Sequence, residues 1–248
     1  SFVKNFSGVL IPILVDILNS RLTSAEVPEC MKNAIVSPLH KKPSLDHNQF
    51  KNYRPVSNLS CVSRLLEKVV TARIQSHLEK NKLFSKFQSA YRKGHSTESA
   101  LIRVFNDIVN ELSNNTEVVL ILLDLSAAFD TIDHEMLIER LQNAFHMKGQ
   151  VLQWFSSYLS NRTQTVVTEH CHKSEPRALK FGVPQGSVLG PLLYTLYAQP
   201  ISLLLDSFSL SYHMYADDTQ IYSPIVTGRE NEVIEKLERC VKEVKEWM

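Results

Sequence analysis

Three carboxylates stand at positions in the sequence where they could support metal-dependent chemistry. Asp124 ends an unbroken aliphatic run, Val118 to Leu123. Asp217 and Asp218 stand side by side between two strand-like stretches. If a tight turn and a neighbouring strand bring the three together, a divalent cation would relieve their repulsion, and oxygen ligands of this type suit Mg²⁺ or Mn²⁺. Two such ions about 4 Å apart promote in-line phosphoryl displacement.

Each of these acids also has an ordinary interpretation. Asp is common in turns, so the pair Asp217-Asp218 by itself fits turn chemistry. The run before Asp124 predicts a strand covered on both faces, and a buried lone carboxylate at its end would need a cation, a hydrogen-bond network or neutralisation. Asp130 and Asp133 follow the strand, and we expect turn or N-cap roles for them.

A glycine-rich turn provides a second candidate site. Gly182, Gly186 and Gly190 recur every fourth residue before an apolar stretch. The pattern is neither a dinucleotide fingerprint nor a phosphate loop. Glycine permits close backbone approach to a ligand, and Gln185 offers a donor and an acceptor. The turn could therefore touch a nucleotide or a template base, or it could be an ordinary loop that begins a helix.

The elements that must position these residues can be predicted from periodicity. A helix beginning at Ser96 or Thr97 has an apolar stripe formed by Leu101, Val104, Phe105, Ile108 and Leu112. Other predicted helices span 8–20, 59–80, 134–145, 150–160, 188–205 and 229–247. Predicted strands span 34–39, 118–123, 163–168, 210–215 and 219–223, with a basic loop over 40–54. Strands mixed with helices without strict alternation predict an α+β fold whose sheet has helices on one face.

Composition excludes several classes of protein and shows an uneven charge. The chain has 248 residues, 44% of them hydrophobic, which excludes global disorder and collagen-like structure. Its four distant cysteines exclude a zinc ribbon and favour a reducing, intracellular setting. Residues 1–110 carry a net charge of +8 and residues 111–248 one of −7. The split fits an anion-binding part and a part that concentrates carboxylates, and it equally fits charge scattered over the surface.

One further cluster could bind a metal by residue type. His170, Cys171 and His172 are consecutive, which is too tight for a tetrahedral site without distant partners. They follow a predicted strand, so an exposed hairpin is the expected structure.

These pieces occur in an order that resembles reverse transcriptases. Leu123-Asp124-Leu125-Ser126-Ala127-Ala128-Phe129-Asp130, Gly182-Val183-Pro184-Gln185-Gly186-Ser187 and Tyr215-Ala216-Asp217-Asp218 are similar to motifs A, B and C of that family. Upstream, Lys41-Lys42-Pro43, Tyr53–Leu59 and Gln88–Thr97 resemble its fingers segments. The resemblance is to the LINE-type branch, the retrotransposons without long terminal repeats. The two key acids are 93 residues apart.

The resemblance implies a right-hand polymerase with fingers over residues 1–110 and a palm over 111–248. An antiparallel palm sheet would be backed by helices, and the chain would be truncated before motif D and the thumb. Asp124 and Asp217 would ligate two Mg²⁺ ions, with Mn²⁺ as a substitute, and the backbone carbonyl of Leu125 could be a further ligand. Asp218 would support this catalytic site.

The resemblance also implies residues that bind the nucleotide. Phe129 matches the steric gate, a flat ring beneath the sugar that selects dNTPs. Gln185 and Gly186 match the nucleotide-facing part of motif B. Arg54 and Lys42, or Lys41, match fingers residues that grip the triphosphate, a task that suits the bidentate Arg. Arg92 would contact the template or the nucleotide.

The implied function is that of an RNA-directed DNA polymerase domain of a retrotransposon. Its partners would be an RNA template, a DNA primer or target and dNTPs, without a membrane, and the parent element would act in the nucleus and cytoplasm. One alternative is a truncated, inactive relic that still binds nucleic acid. An RNA-dependent RNA polymerase is a further alternative, against which Phe129 argues.

Overall fold

The computed structural model describes residues 7–125, 128–168 and 172–247. The chain divides into two compact units, each built from two stretches of sequence. Unit 1 comprises Ser1–His77 and Phe129–Gly190, and unit 2 comprises Leu78–Ala128 and Pro191–Met248. The boundary expected between fingers and palm, at residues 110 and 111, lies within unit 2 and stays a prediction.

Helices and strands alternate irregularly along the chain. The helices are α1 Ser7–Thr23, α2 Cys61–Lys80, α3 Thr97–Ser113, α4 His134–Asn143, α5 Gln150–Leu159, α6 Gly190–Tyr197, α7 Gln199–Ser207 and α8 Glu230–Trp247. The strands are β1 Asn33–His40, β2 Tyr53–Asn58, β3 Glu117–Asp124, β4 Thr163–Val166, β5 Arg177–Ala178, β6 Ser211–Tyr215 and β7 Asp218–Ile225. Short 3₁₀ helices span Glu29–Met31 and Phe50–Asn52.

The sheet of unit 1 contains a strand that the sequence did not predict. Its order is β2-β1-β4-β5, with β1 and β2 antiparallel and β1 and β4 parallel. The expected basic loop ends earlier, because Tyr53–Asn58 pairs with β1 as strand β2. Pro55 lies opposite Pro38 in this pair. Such prolines weaken a strand prediction, yet they are tolerated where no ladder hydrogen bond is needed, as on the edge strand β2.

Aromatic packing fills the interior of unit 1. The rings of Trp154 and Tyr158 on α5 stack with centroids 5.3 Å apart, and Phe155 meets Trp154 edge-on. Leu66 on α2 and Leu137 on α4 are buried in the same unit. The predicted helices over 59–80, 134–145 and 150–160 are thus confirmed, and each supplies a buried face.

The sheet of unit 2 is antiparallel, with the order β3-β7-β6. The two strands predicted over 210–215 and 219–223 form a hairpin. Strand β3 pairs with β7 in register from Glu117 opposite Ile225 to Asp124 opposite Asp218. This pairing confirms the antiparallel sheet and places two of the three singled-out acids directly across from each other.

Strand β3 is less buried than its aliphatic run predicted. Leu122 is 68% exposed and Leu120 is 44% exposed. Successive strand residues point to opposite faces, and β3 lies at the edge of its sheet. Only alternate residues, Val119 and Ile121, line an apolar groove with α8. The expectation of a strand covered on both faces was therefore wrong.

Helix α3 also buries less of its apolar stripe than expected. Ser96 caps it as predicted, but Phe105 is 70% exposed, and only Ala100 and Val104 are buried. Asp107 accepts a 2.6 Å hydrogen bond from the Tyr222 hydroxyl on β7. Ile221 pairs with Ile121, which lies on the sheet face that α8 covers. Tyr222 is the next residue and points to the other face, so α3 lies on the face opposite α8. The expectation of helices on one face was wrong, because α3 contacts the second face through a narrow strip.

The apolar stretch after the glycine-rich turn forms two helices rather than one. The predicted helix over 188–205 breaks between α6 and α7, at Ala198. Pro200 stands in the first turn of α7, where its missing N–H costs little, whereas inside a continuous helix it would remove a hydrogen bond. The break follows from this proline.

The first and last helices and one N-cap agree with the sequence predictions. The helices over 8–20 and 229–247 are confirmed as α1 and α8, and Asp133 is the N-cap of α4. The expected hairpin at His170-Cys171-His172 lies mostly outside the described residues. No helix within the described ranges combines the length and apolar character needed to cross a bilayer.

His213 makes the stability of unit 2 depend on pH. It is buried on β6, with its Nε2 2.9 Å from Ser89 Oγ. Burial, and then the charges of Arg103 and His95, lower its pKa to about 4, against the opposing charge of Asp107. The unfolded chain takes up this proton below about pH 6.5, so protonation favours unfolding between the two values. We expect the full stability near pH 7 and a loss of up to about 3 kcal/mol as pH falls to 4.

Urea unfolding measured between pH 4 and 7 tests this expectation. Carboxylates also titrate in the lower part of this range, so the comparison is with His213→Asn, which removes the titrating ring. The variant should have a shallower pH dependence between pH 5 and 7. Equal slopes for both proteins would contradict the assignment.

Candidate active site

The acids Asp217 and Asp218 are presented by a tight hairpin. Tyr215 pairs with Asp218, so the turn consists of Ala216 and Asp217, and Asp218 is already the first residue of β7. The sequence had placed the junction one residue later, at Asp217-Asp218. Ala216 has φ +56°, a conformation that favours glycine and that two-residue hairpin turns require at their first central position. The hairpin thus holds a strained residue beside the first acid.

Asp124 and Asp218 face each other across β3 and β7. Residues directly opposite in an antiparallel pair have Cβ atoms roughly 5 Å apart and point to the same face. Partial burial raises the pKa of Asp218, and the negative charges of Asp217 and Asp124 raise it further. The carboxylates of Asp217 and Asp124 therefore lie close enough to Asp218 in unit 2 to repel its negative charge.

Asp124 is exposed, whereas its position after an aliphatic run had suggested a buried carboxylate. Its side chain is exposed, not buried, so no desolvation cost needs compensation. The cost is like-charge repulsion, which a cation would relieve. Among the described residues, no three His, Cys, Asp or Glu side chains are grouped closely enough to hold a metal ion. The carboxylates therefore fit a hard cation by type, and the assignment of Asp124, Asp217 and the Leu125 carbonyl as ligands stays a prediction.

Two tyrosines that the sequence did not single out lie close enough to the acids for the carboxylate charges to act on their pKa values. Burial raises the pKa of Tyr91, and so does the charge of Asp217. The pKa of Tyr194 is raised by burial and by the charges of Asp217 and Asp124. Both hydroxyls therefore stay protonated near the carboxylates. Tyr91 stands within the recognised segment Gln88–Thr97, but its type alone did not indicate a place at the acids.

Gln88 attaches the acidic hairpin to the segment before α3. Its side chain is 3% exposed, and its Oε1 accepts hydrogen bonds from the backbone N–H groups of Ala90 at 2.9 Å and Ala216 at 3.2 Å. On either side, Met214 N donates to the Phe87 carbonyl and Ser89 N donates to the Met214 carbonyl. Gln88 therefore helps to hold the strained turn that precedes Asp217. Sequence reasoning missed this role, because only the fold brings residue 88 to residue 216.

Replacing Gln88 with Ala should loosen the turn that contains Ala216 and Asp217. The change leaves the Ala216 N–H without its acceptor, which costs about 1–3 kcal/mol for a buried group. We therefore expect hydrogen exchange of the amide at 216 to rise about 10- to 30-fold, because the turn opens more readily. Gln88→Glu retains an acceptor oxygen and should recover part of the protection. Unchanged exchange at 216 in a folded Gln88→Ala protein would contradict this role.

Arg92 is occupied by contacts within its own segment. Its Nη1 donates to the carbonyls of Ser85 at 3.0 Å and Gln88 at 2.9 Å, and its guanidinium lies 4.8 Å from the centre of the Phe84 ring. Burial lowers its pKa. These contacts hold the backbone around Gln88. The expected contact of Arg92 with template or nucleotide stays a prediction.

In unit 1, the glycine-rich turn is fastened to strand β2 and to Asp130. The Ser57 N–H donates to the Gln185 carbonyl at 2.6 Å. The Gln185 side chain donates from Nε2 to Asp130 Oδ2 at 2.8 Å. Burial raises the pKa of Asp130, and this hydrogen bond acts against the rise. Gln185 and Gly186, singled out in the sequence, therefore stand on a turn with defined partners.

The backbone of Phe129 is held by the same turn. Val183 N donates to the Phe129 carbonyl at 2.8 Å, and Gly182 N donates to the Ile132 carbonyl at 2.7 Å. A Cβ on Gly182 would lie 2.6 Å from the Phe129 oxygen, so only glycine fits there. The structure thus brings Phe129, Gln185 and Gly186 together in unit 1.

The basic residues expected to grip a triphosphate lie at one end of the β1–β2 pair. Arg54 is opposite Leu39 in the register, and Lys41 directly follows β1 and donates its backbone N–H to the Asn52 carbonyl. The side chains of Lys41, Lys42 and Arg54 are exposed. These exposed cations at one end of a hairpin are accessible to an anion. Their contact with a triphosphate stays a prediction.

Comparison with known sequences adds independent information. Residues 39–248 match the profile of the family described as reverse transcriptase (RNA-dependent DNA polymerase). The RNA-directed DNA polymerase from mobile element jockey of Drosophila melanogaster is 31% identical over 211 residues, which are 83% of this chain and 22% of that protein. The probable RNA-directed DNA polymerase from transposon X-element of the same species is 33% identical over 171 residues, 69% of this chain and 18% of that protein. The chain spans about a fifth of the length of these curated relatives.

Solved structures share the fold at low sequence identity. Apo telomerase from Candida tropicalis, truncated from the C-terminal domain, has a TM-score of 0.61 and 13% identity over 87% of this chain and 47% of that one. Telomerase from Candida albicans in complex with a TWJ fragment of telomeric RNA has a TM-score of 0.58 and 11% identity over 92% and 43%. This likeness concerns the fold, and it agrees with the α+β architecture expected from the sequence.

Proposed function

Because the chain belongs to the reverse transcriptase family, we propose that it is the fingers and palm portion of an RNA-directed DNA polymerase from a LINE-type retrotransposon. Residues 1–110 would act as fingers and 111–248 as palm. The observation that carries the proposal is the acidic hairpin with Asp217 and Asp218, paired through β7 with the strand that ends in Asp124. Carboxylates on neighbouring strands are the type of ligand that a cation-dependent nucleotidyl transfer would use.

Asp124 and Asp217 would hold the cations, and reverse transcriptases generally depend on divalent metal. Two Mg²⁺ ions, or Mn²⁺, would supply the positive charge that activates a primer 3′-hydroxyl and neutralises the triphosphate. The Leu125 carbonyl would be a further ligand, and Asp218 would support the site. The protein otherwise contributes positioning and fixed charge, as in other phosphoryl transfers.

The residues of unit 1 would bind the incoming dNTP. The exposed cations Lys41, Lys42 and Arg54 would contact the triphosphate. Gln185 and Gly186 would face the nucleotide, on a turn whose hydrogen bonds to Ser57 and Asp130 support this role. Phe129, whose carbonyl accepts from the same turn, would select against a 2′-hydroxyl. Arg92 would reach the template or the nucleotide.

The partners would be an RNA template and a DNA primer or target. The matched relatives are named as RNA-directed DNA polymerases, and one structural neighbour is a complex with telomeric RNA. Base pairing would read the template, so we expect protein contacts to phosphates and 2′-hydroxyls. The reaction has no membrane step, and the parent element would act in the nucleus and cytoplasm.

Primer extension tests the proposal. The chain, or a longer polypeptide that contains it, is incubated with an RNA template, an annealed DNA primer, Mg²⁺ and dNTPs. We expect the primer to be extended with dNTPs but not with rNTPs. EDTA should abolish this extension. Extension with rNTPs instead would identify an RNA polymerase. Binding of primer and template without extension under all metal conditions would identify an inactive relic and overturn the proposal.

A further inference from the structure

Glu67 is a buried carboxylate outside every site described above. It lies on α2 and is 1% exposed. Its Oε2 accepts hydrogen bonds from the backbone N–H groups of Val188 at 2.6 Å and Leu189 at 3.3 Å. Its Oε1 accepts one from the Tyr158 hydroxyl at 3.0 Å. Both oxygens are thus engaged, and two of the three donors belong to one short stretch of backbone.

A second buried charge accompanies Glu67. Arg162 is also 1% exposed, lies with its guanidinium 4.7 Å from the Tyr158 ring, and donates to the Tyr158 carbonyl at 3.0 Å. Burial raises the pKa of Glu67 above its ordinary value, and the three hydrogen bonds and the charge of Arg162 only partly offset the rise. Burying two charges is expensive and is seldom a route to stability alone. A specific geometry that needs the carboxylate accounts better for this arrangement.

The backbone that Glu67 binds joins the glycine-rich turn to helix α6. Val188 and Leu189 follow Gln185, Gly186 and Ser187, and α6 begins at Gly190. Val188 and Leu189 precede α6, so their N–H groups have no partner within the helix and need another acceptor where they are buried. Ser187 Oγ accepts from Gly190 N at 2.9 Å, and Glu67 accepts from the two preceding residues. The carboxylate therefore fixes the C-terminal side of the turn.

The other side of the turn is fixed by different contacts. The Gln185 carbonyl accepts from Ser57 N, and Gly186 lies against the Ser57 oxygen. Between the Gln185 carbonyl and the Val188 N–H that Glu67 holds there are only two residues, Gly186 and Ser187. A change in how Val188 is held is therefore transmitted to Gln185 and Gly186 through very little intervening chain.

We propose that Glu67 is a positioning residue for dNTP binding, acting by holding the turn that presents Gln185 and Gly186. The inference rests on the proposed function, because that function assigns these two residues to the nucleotide. Glu67 itself does not touch the substrate. It sets the conformation of the surface that does, and its loss should weaken nucleotide binding more than it slows the chemical step.

Two substitutions and a matched control test the proposal in the full chain. Glu67→Ala removes all three acceptor interactions, and Glu67→Gln retains one acceptor oxygen and removes the charge. Glu139→Gln makes the same chemical change on an exposed residue of α4. The measurements are hydrogen exchange of the amides at 188 and 189, KM for dNTP and kcat, all at a temperature where thermal melting shows every variant folded.

For Glu67→Ala we expect exchange at 188 and 189 and KM for dNTP to rise at least about 10-fold, with kcat changed less than about 3-fold. Glu67→Gln should recover part of both effects, and Glu139→Gln should match the parent protein. A folded Glu67→Ala protein with unchanged exchange and KM would overturn the proposal. A Glu67→Gln protein that is as impaired as Glu67→Ala in both measurements would also overturn the proposal, because the remaining acceptor oxygen would then not support the turn.

The exchange measurement separates this inference from the proposed function. If the parent protein does not extend primers, the proposed function fails and the nucleotide-binding role of Glu67 fails with it, whatever the exchange rates show. If the parent extends primers and the amides at 188 and 189 stay protected in Glu67→Ala, the proposed function stands and only the role of Glu67 is rejected.

Discussion

Replacing Asp217 with Asn is expected to reduce primer extension about 1,000-fold, which corresponds to about 4 kcal/mol of lost transition-state stabilisation. The substitution keeps the shape of the side chain and removes one negative charge from the hairpin. If Asp217 holds a cation, the neutral amide is a much poorer ligand, and the charge that develops on the phosphates is no longer balanced. The residual rate should not recover at saturating dNTP, because the defect is in the chemical step.

The same variant should be at least as stable as the parent protein, although it is much less active. Burial, and then the charges of Asp217 and Asp124, raise the pKa of Asp218, which indicates that the two neighbouring carboxylates repel its charge. Removing one charge relieves that repulsion. We therefore expect the thermal midpoint of Asp217→Asn without Mg²⁺ to equal or exceed that of the parent protein.

The matched control is Glu235→Gln, the loss of one carboxylate charge on an exposed residue of α8 in unit 2. It should retain parental activity and parental stability. An Asp217→Asn protein with more than half the parental rate would contradict the assignment of this acid. A variant that loses activity together with several degrees of thermal midpoint would point to misfolding in place of the loss of a ligand.

Replacing Gly186 with Ala is expected to cost about 3 kcal/mol of unfolding free energy and to abolish nucleotide binding. Gly186 has φ +110°, where a Cβ is strained whatever its surroundings. Its surroundings are also full, because a Cβ would lie 2.8 Å from the Ser57 oxygen. That oxygen is backbone on strand β2, so the clash cannot be relieved by a side-chain rotation. The turn and the strand would have to separate.

A substitution at Gly94 separates backbone strain from the clash with a neighbouring atom. It has φ +75°, but no atom lies within 4 Å of where its Cβ would be. Gly94→Ala should therefore show backbone strain alone, about 1 kcal/mol. Urea unfolding of both variants and KM for dNTP are the measurements. Equal losses of stability would show that contact with Ser57 does not constrain the turn.

Local signals in the sequence were sufficient for much of the fold. Ser96 and Asp133 cap their helices as expected, and the paired stretches around Asp217 form the expected hairpin. The candidate acids and the glycine-rich turn were found from residue type and spacing. Such signals act over a few residues, through helix capping, turn geometry and the alternation of strands, so they can be read without the fold.

Burial could not be read in the same way. Leu122 and Phe105 look like core residues in any window of sequence, yet both are exposed, because β3 lies at a sheet edge and α3 contacts the sheet through a narrow strip. Strand β2 was missed because its proline, Pro55, hides a pairing that exists only opposite β1. Whether an apolar residue is covered depends on which elements pack beside it, and this is a long-range property.

The sequence by itself singled out the residues that we propose carry the chemistry: the acids Asp124, Asp217 and Asp218, and the turn with Gln185 and Gly186. Only the tertiary structure decided what holds them in place. Gln88 reaches Ala216 across 128 positions, and Glu67 reaches Val188 across 121. A reactive side chain is recognised by its own type, whereas a supporting one is an ordinary Gln or Glu. Its role comes from buried backbone N–H groups that need an acceptor, and only folding brings the two together.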